Sequence, residues 1–429
     1  MHIAGHEGIL MSDKSRVIPH DSHRAPERKS HATTPLKVAL YSHDAMGIGH
    51  VRRNLFIAQS LARASFRATT LMVCGIHEAT GFCGGEGIDC ITVPGLTKHG
   101  CGDYRSRDLS LSLHEVTSIR RATLAGALAA YRPDVFVVDK VPNGLNGELV
   151  DVLPQLRAQG TRLVLGVRDV LDSPHRVAHE WARFDYEHFI REHYDAVWIY
   201  GDRHVYDAVK EYSLHALVPQ VRFTGYFDQR DRLAYSRTSE QQLPASLADR
   251  RPTTLCMVGG GQDGERLAAA FAHAQLPQGH RGLLITGPLM PAHSRQSLQS
   301  VIDGRADMEL IPALPEADVL MPHVDRVICM GGYNTTLSTV SFEKPSLIVP
   351  RVHPRQEQWI RAKRFEEREL LQVLHPDELS ADRISAWLAR PESHFTPRRD
   401  KLDLGGGQRV CELVQELVGT TPLVNSPAN

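Results

Sequence analysis

Three stretches of this chain combine residue types and spacings that could do chemistry. The first, SHDAMGIGHVRRN (Ser42–Asn54), places Gly47, Gly49, His50, Arg52 and Arg53 just after an apolar run. A histidine that opens a helix sits at the positive end of the helix dipole. That position disfavours imidazolium and keeps a ring nitrogen able to accept a proton near pH 7. His50 is therefore a candidate general base, with a polar helix cap or a phosphate contact as the plainer alternative. A carboxylate commonly orients such a ring, and Asp44, Asp139 and Asp169 all end apolar runs; Asp139, in VVDKVPNG, is the one chosen here. His43 reads as structural, and Arg52 and Arg53 divide between solvent and an anionic ligand.

The second stretch, VGGGQDGERL, holds Gly259, Gly260, Gly261 and Gly264 in a G-x-G-x-x-G pattern between an apolar run and a helical one. A dinucleotide site would also want an acid about twenty residues further on. The next apolar run, LLITGP, supplies none, which argues against a nicotinamide cofactor. No G-x-x-x-x-G-K-[ST] occurs, which argues against a P-loop. What remains is simpler: bare amides at a helix amino end suit phosphate oxygens, and a tight turn without a ligand is the structural alternative. The third stretch begins at Gly331-Gly332 and continues with Asn334, Thr335 and Thr336, expected to cap a helix with amides and hydroxyls pointing outward. The run SLIVP then delivers Arg351, His353, Arg355, Gln356, Glu357 and Gln358. Phosphate donors and hydroxyl-binding side chains would thus lie on adjacent turns, while Glu366 to Glu369 read as a solvated helix face.

The elements around these stretches bound the answer. A length of 429 residues suggests two or three domains, and 42% hydrophobic with 23% charged residues is ordinary for a soluble globular chain. Lys plus Arg at 49 nearly balances Asp plus Glu at 50, so no global field draws the chain to nucleic acid. Seven cysteines without a C-x-x-C pair suggest neither a zinc knuckle nor a disulfide framework. A reduced, cytoplasmic setting is expected. No run approaches the roughly twenty apolar residues of a membrane span. Residues 1–35 are polar and read as a disordered leader, with metal binding by their five histidines as the alternative.

After Pro35, apolar runs at 36–44, 68–77, 89–95, 133–140, 161–169, 194–202 and 218–228 alternate with helical spacing. Such runs are the mark of parallel strands covered on both faces. A polar segment follows Asp228, and strand, glycine turn and helix then begin again at Thr253. The expected fold is therefore α/β, with two Rossmann-like domains over about 36–235 and 250–420. Ligands in such sheets bind at the carboxyl ends of the strands, where all three glycine turns fall.

The stretch GGYNTTLSTVSFEKPSLIVPRVHPRQEQWIRAKR resembles the donor-binding region of the GT-B glycosyltransferases. That group includes the N-acetylglucosaminyltransferase of peptidoglycan assembly and the plant secondary-product glucosyltransferases. The plant motif runs approximately G-W-N-S-T-L-E, a proline-ended strand, then D-Q; Gly332 to Leu337 and Glu357-Gln358 match it. GIGHVRRN resembles the G-x-G-H loop that faces the acceptor, and SHD-x-x-G-x-G-H-x-R-R looks nearest to a bacterial group of such enzymes. The resemblance implies two facing domains with an interdomain cleft. It implies an inverting, metal-independent transfer from a nucleotide-diphosphate sugar, a UDP-sugar foremost, with no other cofactor. Gly259, Gly260, Gly261, Gly331, Gly332, Asn334, Thr335, Thr336 and Arg351 would serve the diphosphate, and Glu357 and Gln358 the sugar hydroxyls. Gly47, Gly49, Arg53, Arg168 and Asp169 would face the acceptor. The family's ribose-binding glutamate falls at Ser338, which offers one hydroxyl in place of a carboxylate; Glu343 is a possible substitute.

The partners expected are small molecules, a nucleotide sugar and an unidentified acceptor, and not nucleic acid. A sugar-nucleotide hydrolase or epimerase, and a non-catalytic sugar-nucleotide binder, are the alternatives. The polar segment 94–112 is expected to be a mobile lid or acceptor loop. The helix around 119–132 is a core helix or, for a lipid acceptor, a peripheral membrane contact.

Overall fold

Strand β1 (Leu36–Ser42) shows why these runs become central strands. Val38 and Leu40 enter one apolar cluster while Ala39 and Tyr41 enter another on the opposite face. A strand buried on both sides has no solvent face to supply alternation, so the sequence reads as continuously apolar. The computed structural model describes residues 34–43, 49–77, 85–99, 103–217, 219–235, 243–314, 316–391 and 398–419. The leader expected over residues 1–35 lies outside these, apart from its last two residues.

The first sheet continues with β2 (Ala68–Cys74) and β3 (Ile88–Thr92), followed by a separate hairpin of β4 (Leu96–His99) and β5 (Asp103–Ser106). It resumes with β6 (Val135–Asp139), β7 (Arg162–Arg168), β8 (Ala196–Tyr200) and β9 (Val221–Phe223). Its seven strands are parallel in the order β3-β2-β1-β6-β7-β8-β9. The helix Gly49–Arg63 covers one face with Phe56, Ile57 and Leu61, and the helix Leu113–Tyr131 covers the other with Leu124 and Leu128. The latter starts at Leu113 because Ser112 and Glu115 form a reciprocal cap, and its buried residues make it a core helix.

The second sheet consists of β10 (Thr253–Met257), β11 (Arg281–Ile285), β12 (Met308–Ile311), β13 (Arg326–Cys329), β14 (Ser346–Ile348) and β15 (Gln372–Val373). All pair in parallel in the order β12-β11-β10-β13-β14-β15. The chain is thus α/β with two Rossmann-like domains, and residues 35–429 form one compact unit. In each sheet the strand order reverses once, between β1 and β6 and between β10 and β13. Helices leave such a switch point on opposite faces and open a crevice there.

The final helix, Gly406–Val418, returns to the first domain. Val410, Leu413 and Val414 join the cluster containing Phe56 and Phe227. The return needs Gly406, where a Cβ would come 2.7 Å from the Tyr226 carbonyl oxygen. Among its described residues, the segment 94–112, expected as a lid or acceptor loop, contains the antiparallel pair β4-β5. Leu96 is fully buried against Val116, so the hairpin is anchored at its base. Among the described residues no helix is long and apolar enough to cross a membrane.

Candidate active site

The first sheet's switch point gathers a compact polar group. His43 follows β1, Asp139 ends β6, and His50 is the second residue of the helix Gly49–Arg63. Gly47 and Asp44 lie outside the described residues. His50 Nδ1 hydrogen-bonds Asp139 Oδ2, and Arg53, one turn along the helix, donates from Nη2 to both Asp139 oxygens, 2.6 Å to Oδ2. The Asp139 side chain is wholly buried and that of Arg53 nearly so, while His50 keeps 14% of its side chain exposed. The Arg53 guanidinium lies 5.1 Å from the Tyr200 ring centroid and 5.6 Å from that of Tyr333.

This packing sets the protonation states. Burial pushes the His50 pKa down to about 4; Arg53 and Lys140 add to the shift, and Asp139 opposes it. Burial alone would raise Asp139, but Arg53 and then His50 outweigh it and hold the carboxyl well below the usual range. His43, 5.2 Å from His50 ring to ring, is driven well below the usual histidine value, first by burial and then by His50 and Lys140. His50 is therefore neutral near pH 7. With Nδ1 committed to Asp139, Nε2 is the nitrogen left to accept a proton.

The second sheet's switch point carries two glycine turns. After β10, Gly259 and Gly261 adopt φ of +64° and +94°. At Gly261 a Cβ would lie 2.3 Å from the Thr286 carbonyl oxygen, so only glycine fits. After β13, Gly332 caps the helix Tyr333–Ser341, and the first amide bonded back into that helix is Thr336, 2.9 Å from the Gly332 carbonyl. The amides of Tyr333, Asn334 and Thr335 thus precede the helical ladder and point along the dipole. Asn334 and Thr335 sit partly exposed, but Thr336 is buried and its hydroxyl does not point outward as expected. Ser338 is also buried, its single hydroxyl proton set between Asp318 at 2.7 Å and the Asn334 carbonyl at 3.0 Å, so its hydroxyl is already engaged. Glu343 lies past the opposite end of that helix, against the Arg399 amide.

Behind the second turn, the Gln358 side-chain oxygen accepts from the Arg351 amide at 2.9 Å, and Gly331 allows Gln358 and Pro350 to approach. Arg351 bridges to Glu357 at 2.8 Å and to Asp263 at 3.2 Å, tying the first glycine turn to the segment after β14. Glu357 is 4% exposed, and its Oε2 is buried without a hydrogen-bond partner. Burial would raise its pKa, yet Arg168, Arg351 and Arg361 together lower it.

The two groups meet. Asn334 Nδ2 donates 3.1 Å to the Gly49 carbonyl, and Tyr333 OH donates 2.9 Å to the Tyr200 carbonyl. Arg361 forks onto Asp169 at 2.8 and 3.0 Å, and Tyr226 OH donates to the same carboxylate at 2.9 Å. Asp169, expected on the acceptor side, is therefore a buried tie between the sheets. Arg355, expected at the donor, reaches across to Asp172 and Glu180. Arg168 stays at the end of β7 with its Nε buried and unpaired.

Sequence reasoning overlooked Lys140, Tyr333, Arg361 and Asp172. Arg361 lies four residues after Glu357, a spacing that puts both on one helix face. Lys140 directly follows the selected Asp139. Tyr333 stands at the aromatic position of the motif that Gly332 to Leu337 match, but its role was not read from it; for Asp172 no sequence signal was available. Among the described residues, no group of three or more His, Cys, Asp and Glu is placed to hold a metal ion.

No family model matches the chain, and no curated protein matches it. Solved structures do. The chain is similar to the glycotransferase of kitacinnamycin, with TM-score 0.58 and 15% identity over 90% of this chain and 100% of that one. It is similar to a putative UDP-N-acetylglucosamine 2-epimerase from Listeria monocytogenes, with TM-score 0.62 and 12% identity over 92% and 100%. MurG of Acinetobacter baumannii gives TM-score 0.53 and 12% identity over 89% and 100%. At such identities the likeness shows the fold alone, the two-domain GT-B arrangement.

Proposed function

We propose that this chain is an inverting glycosyltransferase that moves a sugar from a nucleotide-diphosphate donor to an acceptor hydroxyl. The observation that carries the reading is a neutral His50 held by the Asp139 carboxylate at one switch point, one hydrogen bond from the anion-suited turn of the other through Asn334 and Gly49. The donor diphosphate would lie against the amides of Tyr333, Asn334 and Thr335 and the Gly259–Gly261 turn. The sugar would offer its hydroxyls to Glu357 and Gln358. The acceptor oxygen attacks the anomeric carbon as the bond to the diphosphate breaks on the opposite side, which inverts the centre. The acceptor proton passes to His50 Nε2, and Asp139 stabilises the imidazolium that forms. The leaving diphosphate gains charge in front of the glycine amides and the helix dipole, with Arg351 nearby. No metal or further cofactor is part of this reading, and a UDP-sugar is the first donor to try.

An epimerase is the second reading, since the fold likeness to the Listeria protein is at least as high as that to the glycotransferase. A hydrolase would use His50 to activate water, and a pure binding protein would use none of this chemistry. One experiment separates them. Uridine, thymidine, guanosine and adenosine diphosphates are screened by thermal shift, and sugars of the base that binds are incubated with and without an acceptor panel. Diphosphate release that requires acceptor supports transfer, whereas release into water supports hydrolysis. A changed sugar configuration by NMR without release supports epimerisation. Binding with no turnover supports the binder, and full turnover by His50→Ala removes His50 as the base.

A further inference from the structure

The charges around the cleft pair off almost completely. Arg53 holds Asp139, Arg361 holds Asp169, Arg355 holds Asp172 and Glu180, and Arg351 holds Glu357 and Asp263, with the carboxylates of these pairs at most 3.4 Å away. Two cations are left over. Among the described residues neither Lys140 nor Arg168 has a carboxylate within ion-pair distance, and neither is exposed. Both stand at the carboxyl ends of adjacent strands, β6 and β7, on the rim of the switch point. Lys140 adopts φ of +73°, a conformation disfavoured for a lysine, and its amide is held 2.7 Å from the Gly166 carbonyl. The backbone is turned there against its own preference. Arg168 keeps a fully buried Nε with no acceptor, an arrangement that costs free energy unless something else fills it. Glu357, whose unpaired oxygen lies near enough for Arg168 to be the foremost charge acting on it, marks where the sugar would sit.

We infer that Lys140 and Arg168 form an anion-reading pocket for a carboxylate or phosphate carried on the sugar side of the reaction, either on the transferred sugar or on the acceptor. The inference rests on the transferase reading for its orientation. The donor diphosphate is an unsuitable occupant, because its amides belong to the turns after β10 and β13 in the other sheet. Burial, then Arg168 and Arg355, push the Lys140 pKa down to about 7 against the pull of Glu357 and Asp139, as expected of a cation crowded by like charge. Burial and the cations Arg361 and Arg53 likewise lower Arg168, to about 10. A bound anion would relieve both.

The test uses calorimetry on the full chain and on the double variant Lys140→Met, Arg168→Gln. One arm compares the glucuronate and glucose conjugates of the nucleoside diphosphate that binds in the screen. The other titrates inorganic phosphate with and without saturating nucleoside diphosphate. Wild type should favour the glucuronate conjugate, or bind phosphate beside the nucleotide, by roughly tenfold or more over the variant. Preference in the first arm puts the anion on the sugar; phosphate binding alone puts it on the acceptor. Nucleoside diphosphate affinity should stay within about threefold in the variant, which also reports an intact fold. The inference is overturned if wild type shows neither effect, or if the variant keeps it. If no nucleoside diphosphate binds at all, the transferase reading fails instead, and the phosphate arm without nucleotide still tests the pocket.

Discussion

Replacing Asp139 with asparagine is the sharpest perturbation of the proposed chemistry. The side chain is wholly buried and accepts from His50 Nδ1 and from Arg53 Nη2. Arginine cannot accept a hydrogen bond, so the asparagine oxygen must turn to Arg53 and the NH2 must face His50. Nδ1 then becomes an acceptor, the ring proton moves to Nε2, and the proposed base atom is blocked. Loss of a correctly oriented base costs on the order of 10²- to 10⁴-fold in rate. Catalysis uses the unprotonated ring, so wild-type rate should be flat from about pH 5 to 8 and fall as pH drops through the His50 pKa near 4. Asp139 is the group that raises this pKa against burial, so its removal moves the acid limb to lower pH, not higher. Stability suffers separately, because Arg53 is left as a buried cation. The cost is about 3–5 kcal/mol, since the stacking of Arg53 on Tyr200 and Tyr333 is the same before and after the change. The assay is single-turnover release of nucleoside diphosphate, with enzyme mixed into each buffer at the moment of measurement and folding checked by circular dichroism. Adding Arg53→Met to the variant should restore stability without restoring rate. A rate within tenfold of wild type, or an acid limb that climbs toward the ordinary histidine value, would refute the orientation argument.

Three further outcomes are expected. His50 titrates near 4 when folded and near 6.5 when unfolded, so its neutral burial adds stability that is complete above about pH 6.5 and is lost as pH falls toward 4. The window spans on the order of 3 kcal/mol, and urea unfolding at several pH values should show the slope flattened by His50→Gln. Arg361→Met leaves Asp169 charged and buried, and should destabilise the chain by about 3–5 kcal/mol. Arg361→Lys should recover only part of that in chemical denaturation, because lysine cannot reproduce the fork. Gly261→Ala should weaken nucleoside diphosphate binding by about tenfold or more, whereas Gly260→Ala, whose Cβ meets only Leu289 at 3.5 Å, should change it little. Equal effects in a binding titration would show that the turn's shape is not what the ligand reads.

The sheets were legible because a strand buried on both faces leaves a run of apolar residues that nothing else in a soluble chain explains. The glycine turns were legible for a related reason: Gly261 has no room for a Cβ, so the residue type itself reports the geometry. Long-range pairing was not legible. Arg361 and Asp169 are 192 positions apart, and nothing in either neighbourhood names the other. The same blindness hid the partners of Asp169 and Arg355, whose charge and position at strand or helix ends fit an open site as well as a tie between sheets. Thr336 failed on a smaller scale. The helix begins two residues earlier than a cap at Asn334 would require, because Gly332 takes the cap, and the shift turns the Thr336 hydroxyl inward.

On the proposed mechanism, what links donor and base is Arg53 and its two tyrosines. Arg53 fixes the Asp139 carboxylate that orients His50, and its guanidinium rests between Tyr200 of the first sheet and Tyr333, the residue next to the Gly331–Gly332 turn. Tyr333 in turn bonds the Tyr200 carbonyl and lies 5.1 Å from the Arg361 guanidinium that grips Asp169. A change in the spacing of the two sheets would therefore disturb the packing around Arg53, which bonds the Asp139 of the His50–Asp139 pair. On the proposed reading the dyad's geometry thus depends on the seating of the turn after β13. On the proposed mechanism, that dependence couples proton acceptance to the closed arrangement of the two domains.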